Sequence, residues 1–343
     1  MRYKIHSSYG GSGGHHAMHQ LCYMLDAIGE DSSMVYPPEP EPLDINPLYK
    51  KRYELNKFEN RNNLFDEPDI VQILPANWGA AYLKFDKATK NCLNLKGESP
   101  LKSKKVFWWL GVGGWQNWDV GGFETEIDLA HPNLKKAWHG CQSRTAYDFL
   151  VASGEIPLSQ IFMLYDFTTD EYIVKNDSVL HQTFMYRENI VLYNGAKSRE
   201  LTQKIIDSCA DLNCKFIKLE GMTTEQIRDL ALKSKIYIDF GQHGGRDRLP
   251  REMASCGCVV LSGSDGAAFN TVDVPVGYRK FRRKYDGEYD LIAIKNALEH
   301  DLKFFHESFF DPHLIKYREK IRHEKQEAIL SVKNMVSILN SAK

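Results

Sequence analysis

Residues 236–263, IYIDFGQHGGRDRLPREMASCGCVVLSG, constrain this chain more than any other stretch. The apolar, β-branched run 236–240 predicts a buried strand. It leads into a loop, 241–248, rich in glycine and arginine. Pro250 fits the first turn of a following helix and Gly257 its C-terminal stop. Residues 258–261 predict a second buried strand. Strand, loop, helix and strand in that order belong to a parallel sheet. The loop then lies at the carboxyl end of a strand, where open α/β sheets bind ligands. Arg246, Arg248 and Arg251 offer forks that match phosphate oxygens. Glu252 offers a carboxylate that accepts from two ribose hydroxyls. The combination points to a nucleoside diphosphate.

A length of 343 residues predicts two domains. The formal net charge of −1 argues against a dedicated nucleic-acid binder. No apolar run approaches the roughly 20 residues that span a bilayer, and the opening MRYKIHSS lacks the apolar core of a signal peptide. Seven scattered cysteines, an odd number, suit a reducing cytoplasm. Cys256 and Cys258 have no second pair at zinc spacing, so they read as small buried residues flanking Gly257, and no metal is expected.

Further strands are expected at 3–6, 70–74, 106–110, 138–142, 161–165, 190–193 and 215–219. Helices are expected at 15–28, where Met18, Leu21, Cys22 and Leu25 share a face, at 144–152, and after the capping-box pair Thr223 and Gln226. Residues 37–47 are a proline-rich loop, and 48–66 are polar with weak helical periodicity. Residues 291–339 read as a charged helical tail. Alternating strands and helices predict an α/β class with mainly parallel sheets. The pattern restarts after the polar stretch 168–177, which predicts a boundary there.

In order, VLYNGAKSRELTQKI, FIKLEGMTTEQIRDLALKSKIYIDFG and GRDRLPREMASCGCVVLSG resemble the carboxyl-terminal domain of retaining GT-B glycosyltransferases (group 1, family-4-like). KVFWWLGVGG, CQSRTAYDFL and FMLYDFTTDEYI are similar to a subgroup associated with bacterial surface-polysaccharide synthesis. The resemblance implies two Rossmann-like domains facing across a cleft. Residues 1–175 would form the acceptor-side domain, 176–310 the nucleotide-sugar donor domain, and 311–343 a helix packing back on the first. It implies metal-independent transfer from a nucleotide-diphosphate sugar, with no cofactor, and no D-x-D motif stands at a strand end. Lys197 and Arg248, with Arg246 as the alternative to Arg248, would stabilise the leaving diphosphate. Glu252 and Asn194 would hold the donor, and 218–222, with Met222, would lie beside the base. One position departs from the pattern. Many retaining members carry a second glutamate eight positions before the one that Glu252 matches, and here Gly244 stands there. Main-chain N–H groups of Gly244 and Gly245, or the His243 ring, would take its place.

The loop 8–14, SYGGSGG, is not a dinucleotide fingerprint, because His16 stands where the last glycine would fall. It reads as a cleft-lining loop, with phosphate binding through backbone N–H groups as the alternative. Gly13, Gly14 and His15 then fall on the acceptor side and His16 among the catalytic candidates. Trp108 and Trp109 read as core, and Trp115 and Trp118 as acceptor-site aromatics. The run 280–284, KFRRK, reads as a solvated face, with contact to anionic lipid as the alternative. The expected function is a cytoplasmic glycosyltransferase acting on a glycan or lipid-linked acceptor, with peripheral contact at the inner face of the membrane as a further expectation. The alternative is a sugar-nucleotide 2-epimerase of the same architecture. Oligomeric state is left open.

Overall fold

The computed structural model describes residues 1–7, 13–36, 58–60, 67–76, 102–112, 129–130 and 132–342. The chain divides into two compact units, Met1–Phe167 with Gln326–Lys343, and Thr168–Lys325.

The first unit holds a parallel sheet of seven strands: β1 (Arg2–His6), β2 (Asp31–Tyr36), β3 (Phe58–Asn60), β4 (Ile70–Pro75), β5 (Lys104–Trp109), β6 (Trp138–Cys141) and β7 (Ile161–Met163). Their order is β3-β2-β1-β4-β5-β6-β7, so the winding reverses between β1 and β4. That reversal is the Rossmann pattern. The sequence reading omitted β2, because Asp31, Ser32 and Ser33 break the apolar run. It read 48–66 as weakly helical, whereas Phe58–Asn60 pairs with β2 as a strand.

The helix Gly13–Ala27 buries Met18, Leu21, Cys22 and Leu25 against Tyr3 and Ile5 of β1, the face its spacing predicts. Trp108 and Trp109 are core residues, and their indole N–H groups donate to Leu164 O (2.8 Å) and His139 Nδ1 (3.0 Å). The expected loop 37–47 lies outside the described residues.

The second unit holds five parallel strands: β8 (Glu188–Asn194), β9 (Lys215–Leu219), β10 (Ser234–Asp239), β11 (Val259–Gly263) and β12 (Lys280–Phe281), in the order β12-β11-β10-β8-β9. Its switch point lies between β8 and β10. The helix Thr224–Lys233 opens on the expected capping box, with Gln226 N–H donating to Thr223 Oγ1 and Thr223 N–H donating to Gln226 Oε1.

The helix Arg248–Ser255 ends as its glycine predicts. Gly257 adopts φ 88, Gly257 N–H donates to Ala254 O, and Cys258 N–H donates to Met253 O, a Schellman closure. Buried Arg187 donates from there to Cys256 O (2.6 Å) and also to Ala231 O and Ser234 O. It thus ties together the carboxyl ends of two helices, where a cation is favoured.

The tail is three helices rather than one: Leu291–Lys303, Phe305–Phe309 and Pro312–Ser341. The last serves both units. Leu314, Tyr317 and Ile321 join the core of the second. Ala328, Val332, Met335 and Leu339 join that of the first, where Lys104 Nζ donates to Leu339 O and Ala342 O. Among the described residues no helix is long and apolar enough to cross a membrane.

Candidate functional site

The loops at the switch point of the second unit carry most of the expected residues. After β8, Asn194 Oδ1 accepts from Ala196 N–H (2.9 Å) and pins the turn that delivers Lys197. Lys197 Nζ donates to Gln242 O (3.2 Å) and pairs with the Asp247 carboxylate. Lys197 therefore lies across the start of the loop that follows β10. Gly241 permits this, since a Cβ there would stand 2.6 Å from Lys197 Cβ.

Beneath Lys197 sits a buried charge network. Asp239, at the end of β10, accepts from the Tyr237 hydroxyl (2.9 Å) and from Gly241 N–H (3.1 Å). The His243 ring is fully buried, with Nε2 3.5 Å from Asp239 Oδ1 and Nδ1 3.6 Å from Asp247 Oδ2. Burial alone would push the Asp239 carboxyl up, but His243 and Lys197 outweigh it and hold it below the usual carboxylate range. Burial alone would likewise push His243 down, but Asp239 and Asp247 outweigh it and raise it above the ordinary histidine value. Burial, aided by Asp239, pushes the Tyr237 phenol well above its usual range. The His243 ring is one of two groups expected in place of the missing glutamate, the Gly244 and Gly245 N–H groups being the other, and the structure buries it between two carboxylates. Asp239, His243 and Asp247 offer ligand atoms within 4.8 Å of one another, and the Lys197 ammonium pairs with Asp247 of the same cluster.

The three arginines divide. Arg248 Nη2 donates to Glu252 Oε1 (2.8 Å) one helical turn away, and Arg248 Nε is buried without a hydrogen-bond partner among the described residues. Arg246 and Arg251 turn the other way. Both are buried and pair with Glu324 of the helix Pro312–Ser341, Arg251 Nη1 at 2.9 Å. Glu324 Oε2 also accepts from the Thr168 N–H and hydroxyl (3.0 and 2.9 Å). Arg246, the expected alternative to Arg248, pairs with a buried carboxylate from the far end of the chain. Nothing in the local sequence signals this, since Glu324 lies 78 residues further on. Met222 packs half-buried against the core of this unit. Gly244 and Gly245 stand in the loop between His243 and Arg246.

In the first unit, Gly13 and Gly14 form the first turn of the helix Gly13–Ala27, with Gly13 exposed and His15 half-buried. His16, an expected catalytic ring, is fully buried, because it falls on the inward face of that helix. His19, one turn further along the helix, is buried as well. Its Nδ1–H donates to His15 O (2.6 Å), its Nε2 accepts from the Tyr36 hydroxyl, and burial pushes it down to about 4. Residues 8–12, Trp115 and Trp118 lie outside the described residues.

No protein-family model and no curated protein matches the chain. Solved structures do match. S. aureus TarM, in complex with fondaparinux, α-GlcNAc-glycerol and UDP, aligns over 99% of both chains at TM-score 0.66 and 10% identity. The pneumococcal O-GlcNAc transferase GtfA, with UDP and GlcNAc, aligns over 99% of both chains at 0.63 and 10%. A UDP-N-acetylglucosamine 2-epimerase from Listeria monocytogenes, so described provisionally, aligns over 99% of this chain and 96% of its own at 0.51 and 12%. At these identities the likeness is one of fold. The chain has the GT-B fold, with two Rossmann-like units and a long C-terminal helix.

Proposed function

We propose that this chain is a glycosyltransferase that moves a sugar from a nucleoside-diphosphate donor to a glycan or lipid-linked acceptor. The observation that carries the reading is the pair of cations at the switch point. Lys197 arrives after β8 and Arg248 after β10, and Arg248 keeps a buried N–H without a hydrogen-bond partner among the described residues. In the reaction the anomeric C–O bond to the diphosphate breaks, the acceptor oxygen makes the new bond, and the acceptor proton leaves with the diphosphate. Charge builds on the departing diphosphate, and preorganised cations stabilise it in the transition state. Glu252 accepts from the ribose hydroxyls, Asn194 and the Gly244 and Gly245 N–H groups line the donor, and Met222 lies beside the base. Gly13, Gly14, His15 and Trp115 fall on the acceptor side.

The same reading includes retention of configuration, no metal, no cofactor, and a place in bacterial surface-polysaccharide synthesis in the cytoplasm. UDP is the first nucleoside diphosphate to test, since the TarM and GtfA complexes both hold it. A membrane contact through 280–284 has little support, because Arg283 pairs with Asp265 and Lys284 with Asp290.

The test is thermal stability against a panel of nucleoside diphosphates and their sugars, for the wild type and Glu252→Ala. Ligands that bind the native state raise the melting temperature. A shift with one diphosphate, lost in the variant, supports the donor site, and no shift with any of them overturns it. The Listeria fold match keeps an epimerase as the second reading. Turnover of the donor sugar without any acceptor would favour it.

A further inference from the structure

The proposed transfer leaves the buried ring of His243 unused. The two nitrogens of the His243 ring face two different carboxylates, Asp239 at 3.5 Å and Asp247 at 3.6 Å. Asp247 has a second cation, Lys197. With a neutral imidazole the network sets two carboxylates against one ammonium. With an imidazolium the charges balance.

A diphosphate that takes up Lys197 removes that ammonium from Asp247. A carboxylate stranded without its counter-ion in a largely buried place is strongly destabilised. His243 is the cation already placed to keep it. We propose that His243 is a positioning residue that, protonated, retains Asp247 when Lys197 turns its charge to the donor diphosphate, so that donor binding draws a proton from solvent onto the ring. The inference rests on reading Lys197 as the partner of the diphosphate.

The groups facing His243 are few. Asp239, at the end of β10, and Asp247 flank it, Lys197 pairs with Asp247 from the loop after β8, and Tyr237 of β10 bonds to Asp239. From the loop after β11 come the main chain of Asp265 and Ala267, while the Asp265 carboxylate turns to Arg283. On the following helix Arg248 and Glu252 pair with each other. Of these residue types, histidine is the one whose ordinary titration lies near neutrality. The two carboxylates move it upward.

The probe is UDP-N-acetylglucosamine, whose diphosphate carries no terminal phosphate to titrate. Its binding to the full chain is followed by calorimetry from about pH 6 to about pH 9, in two buffers of different ionisation enthalpy. For the wild type, the dissociation constant should rise up to tenfold per pH unit above the titration of His243, with uptake of up to one proton on binding. His243→Gln can still donate a hydrogen bond but cannot titrate, so its affinity should be weaker and flat over the window, without proton uptake. Asp247→Asn removes the charge that needs holding, and should lose the slope in the same way even if the histidine variant fails to fold.

A wild-type slope that survives in both variants overturns the inference. So does binding tightened tenfold by Mg²⁺ or Mn²⁺ in the wild type and not in His243→Gln, which would make the cluster a cation site. No binding of this or any other nucleotide sugar by the wild type removes the donor-site reading, and this inference with it.

Discussion

Glu324→Gln should loosen the whole loop 241–248, and its effect can be worked from the geometry. Glu324 is 1% exposed and faces two guanidiniums, Arg246 and Arg251, that are 4% and 1% exposed. Removing one partner of a buried ion pair costs about 3–5 kcal/mol, because the other charge stays buried. A glutamine keeps one carbonyl oxygen, which can retain Arg251 and both Thr168 donors, but turns its amide N–H toward Arg246. The expected loss is therefore at the low end, about 3 kcal/mol. Glu324→Met also strands the Thr168 N–H and hydroxyl, adding about 1–2 kcal/mol. Tryptophan emission is the wrong assay, since all six tryptophans stand at or before residue 138, in the first unit. Hydrogen exchange of peptides covering 236–263 reads the second unit directly. A loss of about 3 kcal/mol is roughly a hundredfold in the open population. A change below about 1 kcal/mol in Glu324→Gln would refute the idea that this carboxylate anchors the loop.

Two further outcomes are expected. Gly257→Ala forces a left-handed φ of 88 on alanine and sets its Cβ 2.6 Å from Arg187 Nη2. Strain of about 1–2 kcal/mol plus the disturbed Arg187 hydrogen bond, about 1 kcal/mol, should lower the melting temperature of the second unit, and an unchanged melt would contradict it. Stability should also depend on pH at both ends. The raised His243 contributes fully below its ordinary value of 6.5, and that contribution is lost as pH rises through its folded value. The depressed Asp239 contributes above its ordinary 3.8 and is lost as pH falls through its folded value. Melting curves of His243→Gln should lack the alkaline limb, and a limb equal to that of the wild type would assign it elsewhere.

Most of the sheet was legible in the sequence, because parallel strands buried on both faces leave continuous apolar runs such as residues 190–193 and 259–261. β2 was not, because its polar first half, DSS, hides a buried strand. Helix ends were legible where capping chemistry is local, at Thr223 and Gly257. The site was legible in part. Lys197, Arg248 and Glu252 come together at the switch point because loop position follows from strand order. The pairing of Arg246 with Glu324 was illegible, since it depends on a carboxylate from the far end of the chain. The burial of the His16 and His243 rings was illegible for a related reason. A sequence shows that a histidine stands beside a loop, but not which way its ring points.

The division of the helix Pro312–Ser341 between the two cores bears on how the chain is made. Ala328, Val332, Met335 and Leu339 close the apolar face of a unit whose first strand begins at Arg2. During synthesis, then, the strands laid down first wait with that face uncovered while the entire second unit emerges and folds. A ribosome that stalls before residue 328 releases a second unit near completion and a first unit with an open, sticky side. Such a fragment is a natural client for chaperones.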